Sequence, residues 1–417
     1  MQATTLTALF LLFLATNAIV RIWLAQRQIR HVQAHRDQVP AEFADRINLR
    51  SHQRAADYTT ERTRLRITEA VFDVAVLVVL TMGGMLNWIY TLFDGWFTST
   101  LIRDVLLIAT ASLLLGAIHL PFSLYRQFRL EQKYGFNRMT PKLFVTDTIK
   151  GLVVGALLGL PLLALILWLM SSAGTNWWIW AWASWAVFNF SVMLIFPTWI
   201  APLFNKFTPL QDESLKDRIN ALAKRCNFAI QGLFVMDGSK RSAHGNAYFT
   251  GFGKSRRIVF FDTLLSKLTP TEIEAVLAHE LGHFKHKHIV KRLAVSLISS
   301  LLLFALLGWL TNQSWFYEGL GVTPLANGNH GMALLLFFLV LPVFTFLLTP
   351  VTSWMSRRDE FEADRFAASQ SSSNELVSAL VKLFNDNAAT LTPDPVHSAF
   401  YDSHPPAAIR IQALAAA

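Results

Sequence analysis

The chain has 417 residues, 53% of them hydrophobic, with 32 Phe and 13 Trp, and its mean hydropathy is +0.36. That is too apolar for a soluble protein of two or three domains and places the chain in a bilayer. Its net charge of +9 does not point to nucleic acid, because the basic residues lie mainly between apolar runs with no stacking-aromatic motif beside them. They suit anchoring to anionic membrane lipids.

Apolar runs long enough to span occur near 4–25, 67–93, 104–125, 148–170, 177–200, 289–311 and 331–351, each close to the ~20 residues that ~30 Å of hydrocarbon requires. Seven transmembrane helices follow. The first reads as a retained span rather than a signal peptide: it lacks a basic segment before it, is longer than a signal core, and has no clean small-residue cleavage site before Arg27 and Arg30. The next connection carries Arg27, Arg30, Arg36, Arg46, Arg50, Arg54, Arg62, Arg64 and Arg66, whereas those near 94–103, 171–176 and 312–330 carry only Arg103. The positive-inside rule then puts the N-terminus outside and the C-terminus in the cytoplasm. Cys226, the only cysteine, falls on the reducing side and reads as a buried thiol.

The organisation that follows is 1–200 with five spans, a polar segment 201–288, two more spans in 289–351, and a polar segment 352–417. The first polar segment reads as a helix at 211–226 and strands near 232–236, 246–250 and 257–262, with turns at Gly238, Gly251 and Gly253. A further helix begins at Thr269, which caps it, with Pro270 at the first position, Glu272 closing a capping box, and Ile273, Val276 and Leu277 as its apolar stripe. The two polar segments together are expected to form one small α+β, zincin-like catalytic domain.

That helix carries His279-Glu280-Leu281-Gly282-His283. Positions four apart share a helix face, so His279 and His283 can present two ring nitrogens to one Zn²⁺, with Glu280 beside the open position. His286 and His288 sit among Lys285, Lys287, Lys291 and Arg292 and read as a solvated basic face near headgroups, not as ligands.

A catalytic zinc needs a third protein ligand. In 357–367 the helical phase puts Glu360 and Asp364 on one face; Glu360 would bind zinc, and Asp364 would accept the second ring N–H of a zinc-bound histidine. Taken alone this segment reads better as a charged amphipathic helix laced with i,i+4 pairs, and HExxH elsewhere reverses that in favour of the ligand. The reaction expected is peptide hydrolysis, in which zinc activates water and polarises the carbonyl while Glu280 moves the proton to the leaving amine. His404, followed six residues later by Arg410, is the candidate donor to the oxyanion. The last two spans lie between His283 and Glu360, so zinc clamps their cytoplasmic ends. With straight helices at about 1.5 Å per residue, the metal sits about 10–15 Å from the hydrocarbon edge.

These features resemble the type I CAAX prenyl endopeptidases, the a-factor-converting and prelamin-processing integral-membrane zinc proteases. The resemblance rests on the runs 242–248 (SAHGNAY), 278–283 (AHELGH), 356–364 (SRRDEFEAD) and 403–406 (SHPP) with Arg410. It implies seven helices in a barrel around a water-filled intramembrane chamber and one Zn²⁺ per chain on His279, His283 and Glu360. It also implies Glu280 as general base, Asp364 in support or as a proton donor, and His404 and Arg410 near the oxyanion. Asn246 and Ala247 would lie on the edge strand that pairs with substrate backbone, and the substrate would be a prenylated or other membrane-adjacent peptide cut near its C-terminus. Ionisable residues in the spans, such as Glu69, Asp73, Asp104, Asp147 and Lys150, are then expected to face water or each other. Short outer connections suggest a bacterial inner-membrane homologue. The alternatives are a broad quality-control metalloprotease, which would have fewer spans, and a non-proteolytic zinc-stabilised scaffold or carrier, which would not need Glu280. The oligomeric state is left open.

Overall fold

The structure, a computed structural model, describes residues 1–250, 257–323 and 330–415; the turns expected at Gly251 and Gly253 lie outside the described residues. Six helices are long and apolar enough to cross a bilayer: Ala3–Ala34, Thr100–Glu131, Pro141–Ser172, Gly174–Phe204, His288–Leu310 and His330–Gln370. A seventh is counted if Leu49–Leu80 and Met85–Asp94, bent by 47° at their junction, make one span. The bend interrupts the run expected at 67–93: the first helix stops at Leu80, and Gly84, just before the second, takes φ +74°, a left-handed backbone that glycine adopts without strain.

Buried residues such as Phe10, Leu80, Leu107, Leu167, Ala181 and Leu336 form one core among these helices. Their other faces leave Leu157, Trp180, Val187 and Trp199 exposed, which suits lipid and not water. The five ionisable residues named above lie beside polar groups. Glu69 pairs with Arg126, Asp73 lies 3.5 Å from the His119 ring, and Asp147 is 2.8 Å from Arg241. Lys150 donates to the Leu203 carbonyl at 2.8 Å, and Asp104, buried, accepts from the Gly331 backbone.

The polar segments fold around a four-stranded sheet, β1 (Phe207–Pro209), β2 (Gly232–Met236), β3 (Ala247–Thr250) and β4 (Arg257–Phe261), in the order β1-β2-β4-β3. Only the β2–β4 pair is parallel, with Leu233 opposite Ile258. The sheet's buried Ile258 and Phe260 share one core with Leu215, Ile219 and Leu222 of helix Glu213–Arg225, Leu277 and Leu281 of the motif helix, and Ala367, Leu376 and Ala379 from beyond the last span. Sequence segments on either side of two membrane helices thus enclose the same apolar interior. The motif helix, Pro270–Lys285, starts with the expected capping box: the Thr269 hydroxyl accepts from the Glu272 N–H and the Glu272 carboxylate from the Thr269 N–H.

The last span runs on toward the third acidic residue of interest through a short tight turn at Phe346–Leu348, into helix Thr349–Gln370. The motif helix, in contrast, does not continue straight into its span. It ends at Lys285, Lys287 takes φ +56° in the left-handed region, and His288 opens the next helix. The straight-helix geometry expected on that side is therefore replaced by a break.

Candidate metal centre

His279 and His283, one helical turn apart, turn their Nε2 atoms toward each other at 3.3 Å. Glu360, on helix Thr349–Gln370, completes the group: its Oε2 is 3.4 Å from His279 Nε2 and its Oε1 is 3.4 Å from His283 Nε2. One donor atom from each of the three residues lies within 4.8 Å of the others. The helices can come this close because Gly282 stands between the two histidines. A Cβ there would be 2.9 Å from the Ala363 Cα.

Two observations show that this group fits a divalent cation. Glu360 Oε2 is buried and has no hydrogen-bond partner, an arrangement that is costly unless a cation completes it. Burial opposes charge on His279, yet the neighbouring Asp364 and Glu360 carboxylates push its pKa up to about 9, so the surroundings favour positive charge at the centre. Two imidazoles and one carboxylate, with a position left open, are the donor set of catalytic zinc sites.

Behind His279 stands Asp364, its Oδ1 2.8 Å from His279 Nδ1. Arg410 grips the same carboxylate with a fork, Nε to Oδ2 at 2.8 Å and Nη2 to Oδ1 at 2.6 Å. The guanidinium is buried, with Nη1 3.8 Å from Glu360 Oε2. Arg410, expected beside the oxyanion, is thus occupied behind the ligand cluster by Asp364.

His283 has its own support, which the sequence reading missed. His288, expected on a solvated basic face, is only 1% exposed. Its Nδ1 is 3.0 Å from His283 Nδ1, and its Nε2 is 3.1 Å from Glu362 Oε2 and 3.6 Å from Asp359 Oδ1. With Nε2 of His283 in the ligand cluster, its Nδ1–H donates to His288, and His288 donates its other ring proton to Glu362. Arg292 holds Asp359 at 2.8 Å. The reversal at Lys287 turns His288 inward; helical extrapolation through 285–288 hides it, whereas Asp359 and Glu362, on the face beside Glu360 and Asp364, were a usable signal. His286 does stay near the surface, 3.9 Å from Glu362.

On the open side, Glu280 is half-buried and has no close ion pair among the described residues, and burial raises its carboxyl pKa above the ordinary 4.5. His404 Nε2 is 3.5 Å from Glu360 Oε1, with its side chain 63% exposed and its Nδ1 3.0 Å from the Ser403 hydroxyl. Arg357 pins the loop before His404 by donating to the Asp402 carbonyl at 2.7 Å. Ser403 and His404 share the wall of a cavity of about 990 Å³ with His244 and Asn246. Asn246 accepts from the Phe261 N–H at 3.0 Å, and Ala247 opens β3, which forms an edge of the sheet.

The comparisons with known proteins agree with this geometry. Residues 28–206 match the family described as "CAAX prenyl protease N-terminal, five membrane helices", and residues 209–417 match peptidase family M48. The chain is 34% identical to CAAX prenyl protease 1 of Saccharomyces cerevisiae, covering 90% of this chain and 88% of that one. It is 32% identical to the CAAX prenyl protease 1 homolog of Mus musculus, covering 97% and 94%. The crystal structure of S. mikatae Ste24p superposes with a TM-score of 0.92 at 32% identity, covering 98% of this chain and 99% of that one. These relatives are eukaryotic and lend no support to a bacterial source. The chain is a multi-pass membrane metalloendopeptidase, and it belongs to peptidase family M48, with the CAAX prenyl proteases.

Proposed function

We propose that His279, His283 and Glu360 hold one Zn²⁺, and that the enzyme cuts peptide bonds near the C-terminus of prenylated or other membrane-adjacent peptides. The observation that carries this reading is the convergence of two imidazole nitrogens and an unpartnered carboxylate oxygen beside Glu280. When bound, the ion would supply a Lewis acid for the carbonyl and acidify water. Glu280 takes the proton of the attacking water and delivers it to the departing amide nitrogen, a task suited to a carboxylate whose pKa burial has raised. His404, exposed and next to the cluster, donates to the developing oxyanion. Asp364 and Arg410 fix the His279 ring, so Arg410 is a positioning residue in this reading. The edge strand from Asn246 and Ala247 pairs with substrate backbone, which orients a peptide without demanding one sequence. The arginine-rich connections support a cytoplasmic face for this site, with the polar segments 201–288 and 352–417 as one catalytic unit.

The test is purified protein and its Glu280→Ala variant, assayed for bound zinc and for cleavage of farnesylated and unmodified forms of one peptide. Zinc at one per chain in both, with cleavage only in the unsubstituted protein, is expected. Cleavage that survives Glu280→Ala overturns the mechanism, and indifference to the lipid overturns the prenyl preference.

A further inference from the structure

The cavity lined by His404 and Asn246 is also lined by arginines. Along helix Leu49–Leu80, the stripe Tyr58, Thr59, Arg62, Thr63 and Arg66 faces into it. Arg126 and Arg241 also line it, but they are tied to Glu69 and Asp147. Arg62 and Arg66 are exposed and have no hydrogen bond or ion pair among the described residues. Two carboxylates share the wall, Glu131 and Asp402; Glu131 accepts from Tyr58 at 2.7 Å and lies 3.7 Å from His244. Positive charge is therefore in excess on this cavity's wall. Like charges one helical turn apart repel, and a cleft with low-dielectric walls concentrates their potential. An anion relieves both.

We infer that Arg62 and Arg66 form a subsite for the terminal α-carboxylate of the peptide being cut, so that the enzyme measures its cleavage point from the chain end. This rests on the proposed peptidase reading. Arg62 and Arg66 share the wall of this cavity of about 990 Å³ with Asn246 and His404, so a peptide lying against Asn246 can present its end to them. A guanidinium fork matches a carboxylate in plane and charge, and residues at i and i+4 offer two such forks to one anion. A lipid phosphate has the same charge chemistry but no reason to select the cavity wall shared with Asn246 and His404.

The test uses the full-length enzyme and one lipidated peptide made with a free C-terminal carboxylate and with a C-terminal amide. The acid is expected to be cleaved with about 10- to 100-fold higher kcat/KM than the amide, mostly through KM, the range for a charge-assisted contact. In Arg62→Gln/Arg66→Gln that ratio falls toward one because the acid loses its advantage, and in Arg62→Lys/Arg66→Lys part of it returns. Equal cleavage of acid and amide by the unsubstituted enzyme overturns the inference. So does a glutamine variant that slows both peptides equally, which would assign the arginines to folding or to lipid. Failure to cut either peptide would instead count against the peptidase reading itself.

Discussion

Replacing Gly282 with alanine separates helix spacing from ligand chemistry. The added Cβ would stand 2.9 Å from the Ala363 Cα, 3.1 Å from its carbonyl oxygen and 3.2 Å from the Phe366 Cβ. Carbon atoms pack at about 3.5–4.0 Å, so starting from 2.9 Å the two helices must part by about 0.6–1 Å. The obstacle is backbone, and no rotamer change relieves it. Overpacking costs about 1–3 kcal/mol, of which alanine's better helix propensity returns about 1 kcal/mol. The net effect on stability is thus small, and Gly282→Ala is expected to stay folded with a modest drop in Tm. The proposed metal site is less forgiving, because ligand distances hold within about 0.2 Å and Glu360 sits on the helix that must withdraw. Zinc affinity, read by chelator competition, should fall about 10- to 100-fold or more, and peptidase activity with it. Adding Ala363→Gly should not rescue it, since the clash is with the Cα and carbonyl oxygen and not with the methyl. A Gly282→Ala protein that binds zinc like the unsubstituted one refutes the idea that this contact sets the site.

Two further expectations test the surroundings. His288→Ala leaves the His283 Nδ1–H and the Glu362 carboxylate without each other's link, and zinc affinity should fall about 10- to 100-fold. His286→Ala, on the exposed side, should leave it unchanged, and equal effects in both variants would remove His288 from the site's support. Glu272 gives a pH dependence of stability. Burial opposes its charge, but Lys382 at 2.7 Å, the Ser378 hydroxyl and the Thr269 N–H outweigh that and hold its pKa below the usual 4.5. A carboxylate lowered on folding stabilises above its unfolded pKa and loses that contribution as pH falls through the folded value. The Tm gap between the unsubstituted protein and Glu272→Gln should accordingly be widest near neutrality and close below about pH 4.5. A gap that is constant with pH would mean that the Glu272 carboxylate gains nothing from Lys382.

Much of this molecule was legible because its signals are local and periodic. Apolar runs near a bilayer's thickness, the capping box at Thr269 and the i,i+4 spacings of His279 with His283 and Glu360 with Asp364 depend only on helix geometry, and the structure has each of them. The strands at 232–236 and 257–261 emerge from β-branched and aromatic runs, whereas β1 is three residues ending in Pro209 and carries no alternation to read. Arg410 was found by its distance from His404 along the chain, which says nothing about direction; on its short helix it points inward to Asp364.

The expectation that fails most is His288 on a solvated basic face with His286, together with a motif helix running straight on past Lys285. Periodicity extrapolates through any residue that permits a helix, and nothing in Lys287 forbids one. The left-handed turn there is a choice made by tertiary contacts: buried His288 bridges His283 to Glu362, and Arg292 reaches Asp359. Left-handed backbone costs an ordinary residue about 1–2 kcal/mol, and it persists where the surroundings over-determine it. Here the partners that do so come from the helix that carries Glu360. The same helix is therefore joined to the motif helix twice, directly across Gly282 and indirectly through His288, and both joints fix the distance between His283 and Glu360. Residues that break the local pattern thus help to hold the proposed metal ligands of two separate membrane-anchored segments in register.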